Sequence, residues 1–298
     1  MPTDEPSNDH HRMRVRLASL GTILIILIVY AASLLGYRYL SGSTETLGPP
    51  DLGESSDTVV QVTLEALHTV EKKLDVNVVV FPADDHMNTD LNVADTDIAV
   101  RLFMNEVNLR IEDLRTPKGE LPAETQATIE VTGDPDAWPF DEYTVGALGA
   151  DVLVGTGDDR RFEPARLEVT GGLDGWDITS ERSGPATQSS TDGDYQTITL
   201  TRGRGALAFD LGLCLVLITL PALALFVSIE MLRGRRKFMP PFGTWYAAVL
   251  FAIVPIRNFM PGAPPPGAWI DQILVLWVLL SLTAAMVLYF VAWHRRSD

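Results

Sequence analysis

The residues of this chain best suited by type and spacing to chemistry are Trp138-Pro139-Phe140-Asp141-Glu142-Tyr143. Proline fixes a turn, aromatics flank it, and an acid stands on it. Such a turn can press Trp138, Phe140 and Tyr143 into a neighbouring surface or a membrane interface while Asp141 takes a cationic partner. It can equally be a loop whose aromatics plug the end of a core, and the two roles are compatible. A second set is Arg257 with Asp271, separated by the proline-rich run Pro261-Gly262-Ala263-Pro264-Pro265-Pro266-Gly267. Both charges border apolar stretches, where a charge is costly unless paired, so an ion pair is expected, with snorkelling of Arg257 to an interface as the alternative. The acidic turns Asp84-Asp85, Asp134/Asp136, Asp158-Asp159 and Asp192/Asp194 offer the hard oxygen ligands calcium takes, but none has EF-hand spacing. His68 and His86 have no second His or Cys at ligand spacing. No G-x-S-x-G, Walker loop, H-E-x-x-H or dinucleotide fingerprint occurs. The expectation is therefore a protein that is not an enzyme, with no catalytic residues, metal or cofactor.

The elements that must position these residues are of two kinds. Four apolar stretches lie near Leu17–Leu35, Ala206–Leu232, Phe242–Phe259 and Ala268–Trp293. Each approaches the roughly 20 helical residues that cross a bilayer core. Arg12, Arg14 and Arg16 precede the first, Arg233, Arg235, Arg236 and Lys237 join the second to the third, and Arg295 and Arg296 end the fourth. Positive clusters stay inside, so both termini are expected in the cytoplasm and residues 41–205 outside, in the cell membrane. The first stretch exceeds a signal-peptide core and continues into Leu34 and Leu35, which favours an uncleaved anchor. Pro221 should kink the second span.

Residues 41–57 read as a Gly-, Pro- and Ser-rich linker. From 58 to 205 the pattern is β. Val60–Glu65 and Leu74–Phe81 alternate, and further strands are expected at Ile98–Phe103, Leu109–Leu114, Ala127–Val131, Tyr143–Val154, Arg166–Val169, Trp176–Ser180 and Tyr195–Thr201. A short helix is the alternative at Asp90–Ala94. The fold class expected is an all-β extracytoplasmic sandwich-like domain of antiparallel sheets plus four transmembrane helices, one N-terminal and three C-terminal. Its segments are 1–16 cytoplasmic, 17–40 span, 41–57 linker, 58–205 β domain, 206–232 span, 233–241 cytoplasmic loop, 242–260 span, 261–267 outer loop, 268–293 span and 294–298 tail.

Residues 41–205 hold 32 acidic and 12 basic side chains, about −20, against −16 for the whole chain. That balance argues against nucleic acid as a partner. The one cysteine, Cys214, lies in an apolar stretch, so the β domain has no disulfide and must rely on its core.

Trp245-Tyr246-Ala247-Ala248, Pro255-Ile256-Arg257-Asn258, Pro261-Gly262-Ala263-Pro264-Pro265 and Trp269-Ile270-Asp271, within Arg235–Arg295, resemble an actinobacterial membrane family, domain of unknown function 4436. The similarity covers the whole architecture and implies a cell-membrane location without an activity. Trp138-Pro139-Phe140-Asp141 is also similar to the Phe-Pro-x-Asp turn of pentameric ligand-gated channels, where a β-sandwich hands a signal to helices. Here only three stretches follow the domain and one precedes it.

The function expected is a non-enzymatic binding, accessory or sensing protein of the envelope. Its coupling residues would be Trp138, Pro139, Phe140, Asp141, Tyr143, Arg257, Pro261 and Asp271, with the turn resting on the 261–267 loop and Asp141 or Asp271 near Arg257. The partners implied are the lipid bilayer and an envelope protein or small ligand. The alternative is an oligomeric channel or transporter subunit. Light scattering on the detergent-purified chain separates them: a closed ring of about five copies supports the channel, a monomer or dimer the binding role.

Overall fold

The computed structural model describes residues 46–51, 58–88, 90–104, 107–108, 114–122, 124–183, 195–235, 241–260, 262 and 264–295, with scattered positions between 28 and 39. The β-rich part is built from period-two sequence. In β1 (Val59–His68) and β2 (Lys73–Phe81), Val60, Val62, Leu64, Leu74, Val76 and Val78 face inward and are buried. Antiparallel register sets Val62 opposite Val78 and Leu64 opposite Val76, with a bulge between Leu64 and Ala66. Next come β3 (Ile98–Met104), β4 (Thr125–Glu130), β5 (Glu142–Val154), β6 (Arg161–Pro164), β7 (Arg166–Gly171), β8 (Trp176–Ser183) and β9 (Tyr195–Arg202).

One sheet has the order β7-β1-β2-β4, and the other contains β8-β9-β5-β3. Both bury their inner faces in one apolar core that includes Val62, Val76, Leu148, Val152 and Leu200. The sheets are also tied by polar bonds: Gln196 Nε2 donates to the Leu167 carbonyl at 2.6 Å and Arg182 Nη2 to Glu168 Oε1 at 2.8 Å.

Two expectations need correction here, and a third falls mostly outside the described residues. The pairing is not wholly antiparallel, since β1 runs parallel to β7 from Val59↔Arg166 to Leu64↔Gly171. Parallel neighbours need a long crossover, and the intervening chain supplies one that includes β3 and β5 of the other sheet. Residues 90–92 form a turn, Asn92 has φ 56°, and Val93–Ala94 is a short strand, not a helix. Of the strand expected at 109–114, residues 109–113 lie outside the described residues, and strand begins at Leu114.

The four-helix expectation is also corrected. The described residues hold three α-helices with defined bounds: α1 (Arg204–Leu232), α2 (Pro241–Asn258) and α3 (Leu276–His294), the last preceded by a π-helical turn at Asp271–Val275. Among the described residues, only Arg204–Leu232, with 29 residues, and Asp271–His294, with 24, are long and apolar enough to cross a membrane. With 18 residues, Pro255 inside and Arg257 in its last turn, α2 is shorter and less apolar than these two. The stretch 17–35 lies almost wholly outside the described residues, as do positions 236–240 of the basic connection.

The helices pack through small and hydroxyl side chains. Ala224 and Ala285 are fully buried, which lets backbones approach. Tyr246 Oη of α2 donates to the Ala224 carbonyl of α1 at 3.1 Å, and Ser228 Oγ of α1 donates to the Ala285 carbonyl of α3 at 2.7 Å. The two hydroxyls also lie 2.6 Å apart, where either can turn its hydrogen to the other in place of its carbonyl, so one network binds all three helices.

Both expected lone histidines have carboxylate partners. His68 Nε2 is 2.8 Å from Asp75 Oδ2, and His86 Nε2 is 2.8 Å from Glu163 Oε2. Hydrogen bonds from His68 and Thr128 hold Asp75 below its ordinary pKa. Burial pushes Glu163 up, but hydrogen bonds from His86 and Arg161 outweigh it, and the net direction is down. A carboxylate held low adds stability that is complete above its unfolded pKa and is lost as pH falls through the folded one. Thermal melts of the full chain should therefore lose Tm as pH drops below about 4. Glu163→Gln should flatten that part of the profile.

Candidate functional site

The strand registers bring two remote parts of the chain together. In the antiparallel β5–β9 pair, Glu142 lies opposite Thr201, so the residue before β5 sits beside the residue that ends β9. In the β8–β9 pair, Trp176 lies opposite Arg202. The Trp138–Asp141 turn that leads into β5 and the β9 exit that leads into α1 thus share one corner. Gly203 closes it by donating its N–H to the Gly175 carbonyl at 2.8 Å, and α1 starts at the next residue.

Arg202 fills this corner. Its Nε is bonded to Asp141 Oδ1, and Nη2 donates to Asp141 Oδ2 at 3.2 Å, a two-point fork on one carboxylate. The guanidinium carbon lies 5.0 Å from the Trp176 ring centroid and 5.7 Å from that of Trp138, a cation–π position on both. Nη1 is 3.6 Å from Asp210 Oδ2 on the second turn of α1. Nη2 also reaches the Gly262 carbonyl of the α2–α3 loop at 3.4 Å. The Arg202 and Asp141 side chains are 5% and 1% exposed, and that of Asp210 is 0% exposed. Gly262 has φ 58°, and a Cβ there would stand 2.8 Å from Arg202 Nη2, so only glycine lets the loop approach this closely.

The turn itself divides its aromatics. Trp138 is fully buried and belongs to the apolar cluster of the helices, together with Met260, Ala268 and Ile270, although it is part of the β domain. The Trp138–Pro139 peptide is cis. Phe140 is 63% exposed. Tyr143 points the other way, into the β core, and meets Trp176 edge-on at 5.5 Å. Burial raises the Tyr143 hydroxyl well above its ordinary pKa, and the nearby Asp141 carboxylate adds to the rise.

A second ionic joint lies on the same loop. Arg257 Nε and Nη2 donate to Asp271 Oδ1 and Oδ2 at 2.9 and 2.7 Å, and Nη2 also donates to the Pro264 and Pro265 carbonyls at 2.9 and 3.2 Å. The Gly267 N–H donates to Asp271 Oδ2 at 3.0 Å. The loop is thereby folded onto the ends of α2 and α3, and Asp271 opens the π-helical turn. Pro261 lies outside the described residues.

Of the residues singled out by sequence, the structure joins Arg257 with Asp271, and Trp138 with the helix cluster. Asp141 pairs with Arg202 instead of Arg257. Arg202 and Asp210 were missed as site residues. The signal for Asp210 was available, because an acid six residues into an apolar helix is costly and marks a site by default. The signal for Arg202 was not, since it follows only from pairing partners. Of the acidic turns, Asp134/Asp136 serves locally, since Asp134 Oδ1 accepts the Asp136 N–H at 3.1 Å and caps the short helix Pro135–Ala137, while Asp192/Asp194 lies outside the described residues. Among the described residues, no group of three or more His, Cys, Asp or Glu side chains is placed to hold a metal.

A family model described as Domain of unknown function (DUF4436) matches residues 49–200, and one described as Domain of unknown function (DUF8686) matches residues 202–296. The motifs within Arg235–Arg295 that carried the resemblance thus belong to the second model, while the first covers the β domain. Arg202 stands at the seam between them. No curated protein matches the chain.

Breaking a buried ion pair from one side leaves the other charge uncompensated. Arg202→Met should destabilise the full chain by about 3–5 kcal/mol. Adding Asp141→Asn should recover part of that loss, and thermal denaturation of the two single variants and the double variant measures the coupling.

Proposed function

Because the chain belongs to the family of domain of unknown function 4436, whose description carries no activity, we propose its function from the junction. The protein is a membrane-anchored, non-enzymatic binding, sensing or accessory protein of the cell envelope. Its β domain takes a protein partner or small ligand, and the junction passes the state of that domain to the helices. α1 and α3 cross the bilayer in the same sense with the β domain on the outer side, and the 18 residues of α2 return the chain to that side between them. The distribution of charge supports this orientation: Arg233 and Arg235 follow α1, and Arg295 follows α3, at the ends remote from the β domain. At the near end Arg202 and Arg257 face carboxylates.

The observation that carries the reading is the position of Arg202. One guanidinium touches Asp141 of the β-domain turn, Asp210 of α1 and the Gly262 carbonyl of the α2–α3 loop. A shift of the turn therefore changes the partners of a group that also holds the helices. Interfaces between domains of one chain are ordinarily soft enough for relative motion. A buried, forked arginine makes this one a joint with defined alternatives.

The test keeps the charge and removes the fork. Arg202→Lys in lipid nanodiscs should raise hydrogen–deuterium exchange together in residues 138–143 and in residues 262–270. An increase confined to one of the two segments would reject the coupling.

A further inference from the structure

Asp210 is fully buried, and neither of its carboxylate oxygens accepts a hydrogen bond. Its nearest cation, Arg202 Nη1, is 3.6 Å away, beyond hydrogen-bond reach, while Nε and Nη2 of the same guanidinium serve Asp141. With all three groups ionised, the corner holds two negative charges and one positive charge. A buried carboxylate with no donor on either oxygen and half a share in a cation is strongly disfavoured.

The corner lacks one positive charge that Asp210 alone can receive. A metal cation needs several oxygen ligands. Among the described residues no group of three His, Cys, Asp or Glu side chains is placed to hold one. A proton needs a single oxygen. It removes the surplus charge and leaves the Arg202–Asp141 fork undisturbed.

We infer that Asp210 is a proton-binding site, and that loss of its proton draws the Arg202 guanidinium away from Asp141 toward α1. The proton adds to one carboxylate oxygen and leaves to water, with no other bond made or broken. Protonated, Asp210 is a neutral neighbour and Arg202 stays forked on the turn. Ionised, it competes for Nη1 across the 3.6 Å gap, and the guanidinium moves between the rings of Trp138 and Trp176.

Among the described residues, the charged and titratable groups facing Asp210 are Arg202 at the end of β9, Asp141 on the turn and Cys214 one turn further along α1. On α2 and α3, Arg257 and Asp271 are paired with each other and close on the loop. A proton at Asp210 therefore acts on one mobile partner, Arg202, which is the basis of a two-state switch. The movement rests on the junction as the coupling element, whereas the proton site stands without it.

The experiment uses the full chain in lipid nanodiscs, with infrared difference spectra and tryptophan emission recorded on one pH titration. The expected result is a protonated-carboxyl band that titrates as a single step and disappears in Asp210→Asn. Asp210→Glu, which keeps the carboxyl, should retain a shifted band. Tryptophan emission should step at the same midpoint and lose that step in Asp210→Asn. Absence of the band at every pH where the wild type stays folded would overturn the site, as would its persistence in Asp210→Asn. Emission that follows sodium or calcium at constant pH would replace the proton by a metal cation. A titrating band with flat emission would keep the proton and overturn the movement of Arg202, while the exchange experiment on Arg202→Lys tests coupling separately.

Discussion

A guanidinium removed from water has to be met by hydrogen-bond acceptors and opposite charge, and Arg202 finds them in three parts of the chain. Asp141 comes from the turn before β5, Asp210 from α1 and the Gly262 carbonyl from the loop between α2 and α3. It also lies over the rings of Trp138 and Trp176. Desolvation makes such a group expensive in isolation and specific in company, because few arrangements satisfy all its donors. The β domain and the helices are therefore held in one relation by a polar contact as well as by apolar packing. Trp138 reinforces it by lying in the helix cluster while belonging to the β domain.

The helices show the same economy of polar groups. Ser228, Tyr246 and two backbone carbonyls form one network where the helices cross, and buried alanines make the crossing close enough for it. At the junction end, Arg257 and Asp271 fold the proline-rich loop back on the helix termini. A buried polar network that is fully satisfied in one arrangement singles that arrangement out, so such bonds and close packing carry the specificity.

Much of the β domain was legible because its chemistry is local. Alternation at Val60–Leu64 and Leu74–Val80 reports one buried face, and the Gly155–Asp158 turn marks where β5 ends. The parallel β1–β7 pair was hidden, since nothing in either strand records which neighbour it takes. The number of crossing helices was overread from hydropathy. α2 has about the length expected of the third stretch, but Pro255 and Arg257 leave it less apolar than α1 and α3.

The sequence by itself determined the periodicities, the apolar runs and the positions of costly charges such as Asp210, Arg257 and Asp271, because each is a property of a short segment. Tertiary structure decided which charge meets which. Asp141 and Arg202 are 61 residues apart and adjoin only because β5 and β9 pair with Glu142 opposite Thr201. Register is set by the fit of whole faces in a shared core. A one-residue slip would turn each side chain to the other face and remove the joint.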